Sequence, residues 1–563
     1  MSDRETHPIS DGSPDEHALS RRGFLQLGAA AAVVGAVGQV PGVRSVERLA
    51  AQPASPLASP FELEEATIQQ LQQWMAAGRY TARSIAEAYL GRIEEIDRQG
   101  PTLRAVIETN PEALAIADRM DAERRAGRVR GPLHGIPVLI KDNIDTADRM
   151  MTTAGSYALD GRPAPRDAFI VERLRAAGAV ILGKTNLSEW ANFRSTHSSS
   201  GWSGRGGQVL NPYVLDRTPC GSSSGSGAAI AANLAAIAVG TETDGSIVCP
   251  SSANSLVGIK PTVGLVSRSG IVPISHSQDT AGPMTRTVAD AAALLSVLAG
   301  VDARDSATAA SRAHAQADYT RFLDPNGLRG ARIGVAREKL FGYDQHTDRV
   351  VNAAIQELRR LGAVIVDPAN IPHVGEYDGD EFSVLLYEFK TDLNAYLASR
   401  GTTAQVHSLR DVIAYNERDR AREMPFFGQE IMTMSQAKGP LTEQAYRTAR
   451  AKSLRLAGRE GIDAALTAHR LDAIVVPTGN LPGPIDVLLG DHWLGGSSTP
   501  AAVAGYPSIT VPAGYAFGLP VGMSFIGRAW SEPTLIKLAY AFEQGTKHRK
   551  PPRFLPRADL ANP

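Results

Sequence analysis

The sequence is poor in cysteine. Its 563 residues include two cysteines, Cys220 and Cys249, which are too few for a disulfide scaffold. Both lie close to serine-rich turns. Because an unpaired cysteine is among the most buried residue types, the favoured prediction is two buried free thiols. The alternative is a pair formed in an oxidising compartment.

An excess of charge of one sign is also missing. The chain carries 58 basic and 59 acidic side chains, so its formal net charge is −1. This balance gives no basis for a nucleic-acid partner or for binding to an anionic membrane surface. No group of His, Cys, Asp and Glu has the spacing of metal ligands, so we expect no metal site.

The chain has no hydrophobic run long enough to cross a membrane. A mild apolar stretch, Leu27 to Val40, is too short and too rich in glycine. It follows the sequence Ser20-Arg21-Arg22-Gly23-Phe24-Leu25, and twin arginine before a mild apolar stretch is typical of a Tat export signal. We therefore expect residues 1–50 to be an export signal and the start of a linker. The mature protein would be periplasmic or secreted, without a stable membrane anchor. A disordered basic N-terminus is the alternative.

Helix-like and strand-like segments alternate along the rest of the chain. The predicted helices are Glu64–Ala77, one capped by Thr81, one starting at Asn110-Pro111, Phe169–Ala177 and Gly227–Ala238. The predicted strands are Val138–Ile140, Ala179–Leu182, Ala473–Val476 and Ser508–Val511. This alternation favours an α/β fold with helices on both faces of a sheet. Asp367–Pro440, rich in charges and aromatics, is expected to form a helical cap over a substrate pocket.

One motif matches a nucleotide-binding pattern by its letters alone. Residues 178–185 read Gly-Ala-Val-Ile-Leu-Gly-Lys-Thr, the spacing of a P-loop. The four residues after the first glycine should form an open loop of backbone amides around phosphate. Here they form an apolar run that favours a buried strand, so nucleotide binding is not expected.

Three stretches together suggest nucleophilic catalysis without histidine. Lys141 ends the apolar run Ile136–Ile140, where burial would lower its pKa and leave a neutral amine able to accept a proton. An ion pair with Asp142 is the alternative. The sequence Gly221-Ser222-Ser223-Ser224-Gly225 opens a helix, and Thr243-Asp244-Gly245-Ser246 follows. Taken singly, the two turns could be a serine cap and an ordinary Asp-Gly turn.

Together these stretches resemble the amidase signature family. The sequence Gly135-Ile136-Pro137-Val138-Leu139-Ile140-Lys141-Asp142-Asn143 fits the lysine motif of that family, and the two serine turns fit its other two motifs. Further matching pieces include Gly258-Ile259-Lys260-Pro261-Thr262 and Gly505-Tyr506-Pro507-Ser508. The resemblance implies a single large α/β domain over residues 61–555. Its central mixed, twisted β-sheet would be covered by helices on both faces.

The resemblance also implies a role for each site residue. Lys141 would be the base, Ser222 a bridging serine beside a cis peptide bond, and Ser246 the nucleophile. The backbone amides of Thr243, Asp244, Gly245 and Ser246 would form the oxyanion hole. No cofactor and no metal would be needed. This sequence departs from the family pattern at Cys220, Ser224, Glu242, Asp244 and Val248.

Within the family, the two turns look most like those of bacterial peptide amidases. That resemblance implies hydrolysis of the C-terminal carboxamide of peptides to a free acid and ammonia, through an acyl-enzyme. One alternative is a broad-specificity amidase for small or aryl amides. Another, from a different class, is a Ser-His-Asp esterase of the α/β-hydrolase type, because Gly221-Ser222-Ser223-Ser224-Gly225 also fits a nucleophile elbow with Ser223 as the nucleophile.

Overall fold

The architecture is built around one large β-sheet. The computed structural model describes residues 60–402 and 404–561, so the expected export signal at residues 1–50 lies outside the described residues. The strands in these residues are β1 Val106–Thr109, β2 Pro137–Lys141, β3 Val180–Thr185, β4 Trp202–Ser203, β5 Gly207–Gln208, β6 Ile237–Glu242, β7 Val257–Lys260, β8 Thr280–Thr285, β9 Arg332–Val335, β10 Val364–Val366, β11 Ala473–Pro477, β12 Ser508–Ala516 and β13 Leu519–Ile526. Strands β4 and β5 pair separately, and the others form an 11-stranded sheet in the order β1-β3-β2-β6-β8-β7-β12-β13-β11-β9-β10.

The sheet is mixed. Strand β2 runs parallel to both β3 and β6, whereas β6 and β8, β7 and β8, and β12 and β13 are antiparallel. In the β2–β6 pair, Ile140 lies opposite Val239. Because both strands run in the same direction, their carboxyl ends meet at one edge of the sheet. This register brings Lys141 next to the end of β6.

Helices cover both faces of this sheet. Their bounds are α1 Ile68–Ala76, α2 Ala82–Arg92, α3 Ala113–Arg125, α4 Phe169–Ala176, α5 Ser224–Ala231, α6 Val248–Ala253, α7 Val288–Leu298, α8 Gln345–Arg360, α9 Asp378–Ser399, α10 Leu409–Arg418, α11 Arg420–Glu423, α12 Glu430–Gln436, α13 Gln444–Ala457, α14 Asp463–Ala468, α15 Thr499–Ala504 and α16 Glu532–Thr546. Strand β11 illustrates the layering, because Ala473 and Val475 pack in one hydrophobic cluster and Ile474 and Val476 in another. The predicted α/β class with a mixed sheet between helices is confirmed. No helix within the described ranges is long and apolar enough to cross a membrane.

The helix predicted over Gly227–Ala238 is partly wrong. Helix α5 begins at Ser224 and ends at Ala231, and Ile237 and Ala238 already belong to strand β6. Asn233 adopts the left-handed conformation with φ of 59°, which is common just after a helix end. The alanine-rich composition of this stretch concealed the break, since alanine has the highest helix propensity and so predicts a continuous helix across it.

The other predicted elements agree more closely. Helix α1 starts at Ile68 rather than Glu64, because Thr67 caps it and forms a capping box with Gln70. Thr81 caps α2 as expected. Helix α3 begins at Ala113, later than the predicted start at Asn110. The segment with P-loop spacing is the buried strand β3, as its apolar residues predicted.

The segment Asp367–Pro440 forms helices α9 to α12, and these pack on the core as a layer of their own. Leu385 and Phe389 of α9 pack with Val412 of α10 and with Trp190 and Phe193, which come from the core. The expected helical cap is therefore present. Its relation to the candidate site follows from the cavity described below.

Candidate active site

Lys141 lies at the edge of the sheet where β2 and β6 end. Its side chain is fully buried. Its Nζ donates to Ser222 Oγ at 2.8 Å, to Thr241 Oγ1 at 2.9 Å and to the Thr241 carbonyl oxygen at 3.3 Å. Asn143 Nδ2 also donates to Thr241 Oγ1, at 3.0 Å. The amine is therefore held by neutral oxygens.

This environment favours the uncharged amine. Burial lowers the pKa of Lys141 to about 7, although the charges of Asp279 and Glu242 oppose that shift. An amine with such a pKa is substantially neutral near pH 7 and can accept a proton. The geometry thus gives Ser222 a basic neighbour in direct hydrogen-bond contact.

The alternative ion pair between Lys141 and Asp142 does not form. One carboxylate oxygen of Asp142 accepts from the hydroxyl of Thr153 and from the Gly155 amide. Successive residues of a strand point to opposite faces of the sheet, which separates the two neighbouring side chains. Among the described residues no carboxylate lies within ion-pair distance of the Lys141 amine, so the charged form lacks such a partner there.

Ser222 and Ser246 lie on turns that touch. Ser222 is buried and follows a cis peptide bond after Gly221, the geometry that the family resemblance implied. The Ser223 amide donates to the Ser246 carbonyl oxygen at 3.2 Å and joins the two turns. Within the described part of the chain, no hydrogen bond joins Ser222 Oγ to Ser246 Oγ. The structure therefore brings the three predicted residues to one place and shows the lysine contact directly.

The second turn presents free backbone donors beside Ser246. Ser246 is 8% exposed. The amides of Gly245 and Ser246 have no hydrogen-bond acceptor among the residues that the structure describes. Gly245 has φ of 81°, and a Cβ there would lie 2.9 Å from Ser498 Oγ, so this position needs glycine. Two adjacent unbonded amides next to a serine can receive a developing oxyanion.

Two acidic departures from the family pattern shape this turn. Glu242 Oε2 accepts from the amides of Ile247 and Val248, at 2.8 and 3.0 Å, and so fixes the chain directly after Ser246. The carboxylate of Asp244 accepts from the hydroxyls of Ser498 and, at 2.8 Å, Thr499. The sequence did not predict these contacts, because both partners of Asp244 lie more than 250 residues away in the chain.

Thr241, Asn143 and Asp279 are further residues that sequence reasoning missed. Thr241 holds the lysine amine, Asn143 donates to Thr241 Oγ1, and Asp279 accepts from Thr243 Oγ1 at 2.6 Å. Thr241 lies beside Lys141 because of the register of β2 and β6, which the sequence does not reveal. Asp279 likewise carries no signal in the sequence.

The alternative serine-histidine-aspartate site is wrong. Ser223 Oγ donates to the Thr241 carbonyl oxygen at 3.0 Å and accepts from its amide at 3.2 Å. Ser223 is fully buried, and no histidine of the described ranges hydrogen-bonds to it. Its hydroxyl is thus committed to the backbone and has no base.

The prediction of two free thiols is also wrong. Cys220 and Cys249 form a disulfide, with their Cα atoms 5.9 Å apart and a sequence separation of 29. The contact between the two serine turns brings these residues within the usual Cα separation of a disulfide. Sequence spacing alone left both states open.

A cavity of about 430 Å³ borders this arrangement. Thr241 and Thr243 line it from β6 and the second turn, residues 268–274 form another wall, and Tyr396 and Ser399 of α9 line the cap side. The helical cap thus covers a cavity that reaches the lysine-binding threonine and the start of the second turn.

One group of metal-type ligands lies on the rim of the cavity. His276, Glu388 and Asp392 come together in the described part of the chain. His276 Nδ1 lies 2.8 Å from Asp392 Oδ2, and its Nε2 lies 3.3 Å from Glu388 Oε1. Glu388 also accepts from the hydroxyls of Ser277 and Tyr446, both at 2.6 Å. Ion pairing and hydrogen bonds account for this group without a metal ion.

Comparisons with known proteins agree with this geometry. The family model described as Amidase matches residues 84–536. The crystal structure of peptide amidase from Stenotrophomonas maltophilia is similar with a TM-score of 0.84 and 55% identity, over 88% of this chain and 100% of that chain. A protein named as a probable amidase from Arabidopsis thaliana is 46% identical, over 89% of this chain and 93% of that protein. A glutamyl-tRNA(Gln) amidotransferase component from Myxococcus xanthus is 36% identical, over 86% of this chain and 98% of that protein.

The family model covers most of the chain, and these relatives align over nearly their whole length. The chain therefore belongs to the amidase signature family, and it is a hydrolase that acts on amide bonds.

Proposed function

We propose that this enzyme hydrolyses the C-terminal carboxamide of peptides to a free acid and ammonia, with Lys141, Ser222 and Ser246 as its proton relay. The observation that carries the mechanism is the 2.8 Å contact between the buried Lys141 amine and Ser222 Oγ. The substrate class rests on the similarity to peptide amidase over 88% of the chain.

Acylation begins with proton transfer along the two hydroxyls. Neutral Lys141 takes the proton of Ser222, Ser222 takes that of Ser246, and Ser246 Oγ attacks the carboxamide carbon. The amides of the turn Thr243–Ser246 stabilise the oxyanion, and one donor of this kind is worth about 3 kcal/mol. The C–N bond then breaks, and the leaving nitrogen receives a proton through Ser222 and departs as ammonia.

Deacylation repeats the relay with water. The same serine and lysine take a proton from the water as it attacks the acyl carbon. The ester bond to Ser246 Oγ breaks, the serine regains its proton, and the free acid leaves. The products balance as one acid and one ammonia for each amide and each water, so the reaction needs no oxidant and no cofactor.

Replacing the relay residues tests the mechanism. We expect Ser246→Ala and Lys141→Ala each to lower kcat by at least a thousandfold, because residues of a relay act as a unit. Ser222→Ala should also lose most activity. Ser223→Ala is the matched control, since in the described ranges its hydroxyl bonds to the backbone of Thr241 and to none of the three relay residues. Steady-state kinetics with folded variants measures this, and near-full activity in Ser246→Ala or Lys141→Ala contradicts the relay.

The pH dependence tests the protonation state of the lysine. Only the neutral amine can act as a base, so kcat/KM should rise with pH and level off above about 7, the pKa of Lys141. The charge of Asp279 raises that pKa, so Asp279→Asn should shift the acid limb to lower pH. Asp118→Asn removes the same charge from an exposed residue bonded to Arg83 and should leave the limb in place. If the acid limb of the kcat/KM profile stays at the same pH in Asp279→Asn, the limb does not report the pKa of Lys141.

A substrate panel tests the choice of substrate. Ammonia release should be fastest with N-acylated dipeptide and tripeptide amides, and at least tenfold slower in kcat/KM with acetamide, benzamide and side-chain amides. The Ser246→Ala variant gives the background rate. A preference for small or aryl amides would instead establish the broad-specificity alternative while leaving the relay intact.

We also propose export to the periplasm or medium by the twin-arginine signal at Arg21 and Arg22. The disulfide supports this proposal, since disulfides persist mainly in oxidising compartments. In a bacterial host with a Tat system, the wild type should fractionate outside the cytoplasm. Replacing both arginines by lysine should retain it in the cytoplasm, whereas Arg4→Lys should not. Equal fractionation of the twin-lysine variant and the wild type would refute export by this route.

A further inference from the structure

The disulfide lies between the two turns that carry the proposed catalytic serines. Cys220 comes two residues before Ser222, and Cys249 comes three residues after Ser246. The Cys249 amide donates to the Gly245 carbonyl oxygen at 2.8 Å, which fixes Cys249 to the oxyanion turn. Ser224 Oγ donates to the Cys220 carbonyl oxygen at 2.6 Å, which fixes Cys220 to the first turn. Each sulfur is therefore attached rigidly to one catalytic turn.

Hydrogen bonds make the other contacts between these turns, and they include the two bonds of Ser223 Oγ with the backbone of Thr241. The Ser223 amide bonds to the Ser246 carbonyl oxygen at 3.2 Å, and Asn254 Nδ2 bonds to the carbonyl oxygens of Pro219 and Pro250 at 3.0 and 2.7 Å. These are neutral hydrogen bonds, each modest in net free energy. The disulfide is the covalent member of this set, and its loss would leave the relative position of the turns to the weaker contacts.

The disulfide is accessible to a reagent. Cys220 and Cys249 are both partly exposed, and they line a small cleft with Asn480 and Trp493. The chain has no other cysteine, so a thiol reagent can act at this bond alone. A dithiol reagent would supply two electrons and two protons, break the S–S bond to give two thiols, and itself become a disulfide.

From this geometry we infer that the Cys220–Cys249 disulfide is a positioning link that restrains the turns of Ser222 and Ser246 relative to each other. Amide hydrolysis is then fast in the oxidised enzyme and slow in the reduced enzyme. The inference rests on the relay proposed above. The two hydroxyls must reach hydrogen-bond distance when substrate binds, and small misplacements at a reacting centre cost large factors in rate. An enzyme exported through an oxidising compartment would thus reach full activity there.

The test compares oxidised and reduced wild-type enzyme on one N-acylated peptide amide. The assay temperature lies well below the melting temperatures of the oxidised and the reduced enzyme. Reduction by a dithiol should then lower kcat about tenfold while KM changes less than twofold. The rate at which a fluorophosphonate probe labels Ser246 should fall by the same factor, because it reports the activation of the nucleophile and not substrate binding. Reoxidation should restore both rates.

Cys220→Ala/Cys249→Ala supplies the matched control. It should show the lower kcat of the reduced wild type and no response to the dithiol. A kcat within twofold after reduction would assign the bond to stability alone. A rise in KM without a fall in kcat, or a loss that reoxidation does not restore, would also overturn the inference. Activity retained in Ser246→Ala would refute the relay itself, so the two failures are distinguishable.

Discussion

The burial of one lysine amine is the constraint on which the site depends. Lys141 has no exposed surface and, in the part of the chain that the structure describes, no carboxylate in contact, so its charge is disfavoured and its pKa falls to about 7. The backbone and hydroxyl of Thr241 hold the amine in place without neutralising a charge. A salt bridge at this position would keep the lysine protonated, and a serine beside it would gain no base.

The sheet makes this arrangement possible. Parallel strands β2 and β6 end at one edge, and they deliver Lys141 and the second serine turn to the same place. The first turn leads into the N-terminal end of α5, where Ser223 Oγ bonds to Thr241 and the Ser223 amide bonds to the Ser246 carbonyl oxygen. Acidic side chains then fix the second turn, with Glu242 holding the amides after Ser246 and Asp244 reaching the start of α15. Each loop of the site is therefore tied to a regular element, and the disulfide links the two loops to each other.

The candidate catalytic residues and the walls of the cavity come from different parts of the fold. The core supplies the reacting groups, whereas α9 supplies one wall of the cavity through Tyr396 and Ser399. Relatives with 36 to 55% identity align over most of this chain, yet they include both a peptide amidase and a component of a glutamyl-tRNA(Gln) amidotransferase. Family membership and fold therefore do not single out one amide substrate, and residues of both the core and α9 line the cavity beside the candidate site.

The sequence by itself determined the class of fold, the family and the three candidate catalytic residues. Apolar runs, caps and turn residues are local signals, and the serine turns and the lysine strand are contiguous motifs that can be read without coordinates. Only the tertiary structure decided that Cys220 and Cys249 pair, that Lys141 avoids Asp142, that α5 stops at Ala231, and that Asp279 and Thr241 adjoin the lysine. Each of these features depends on strand register, on side-chain direction or on contacts between residues far apart in the chain. None of them produces a periodic pattern in the sequence.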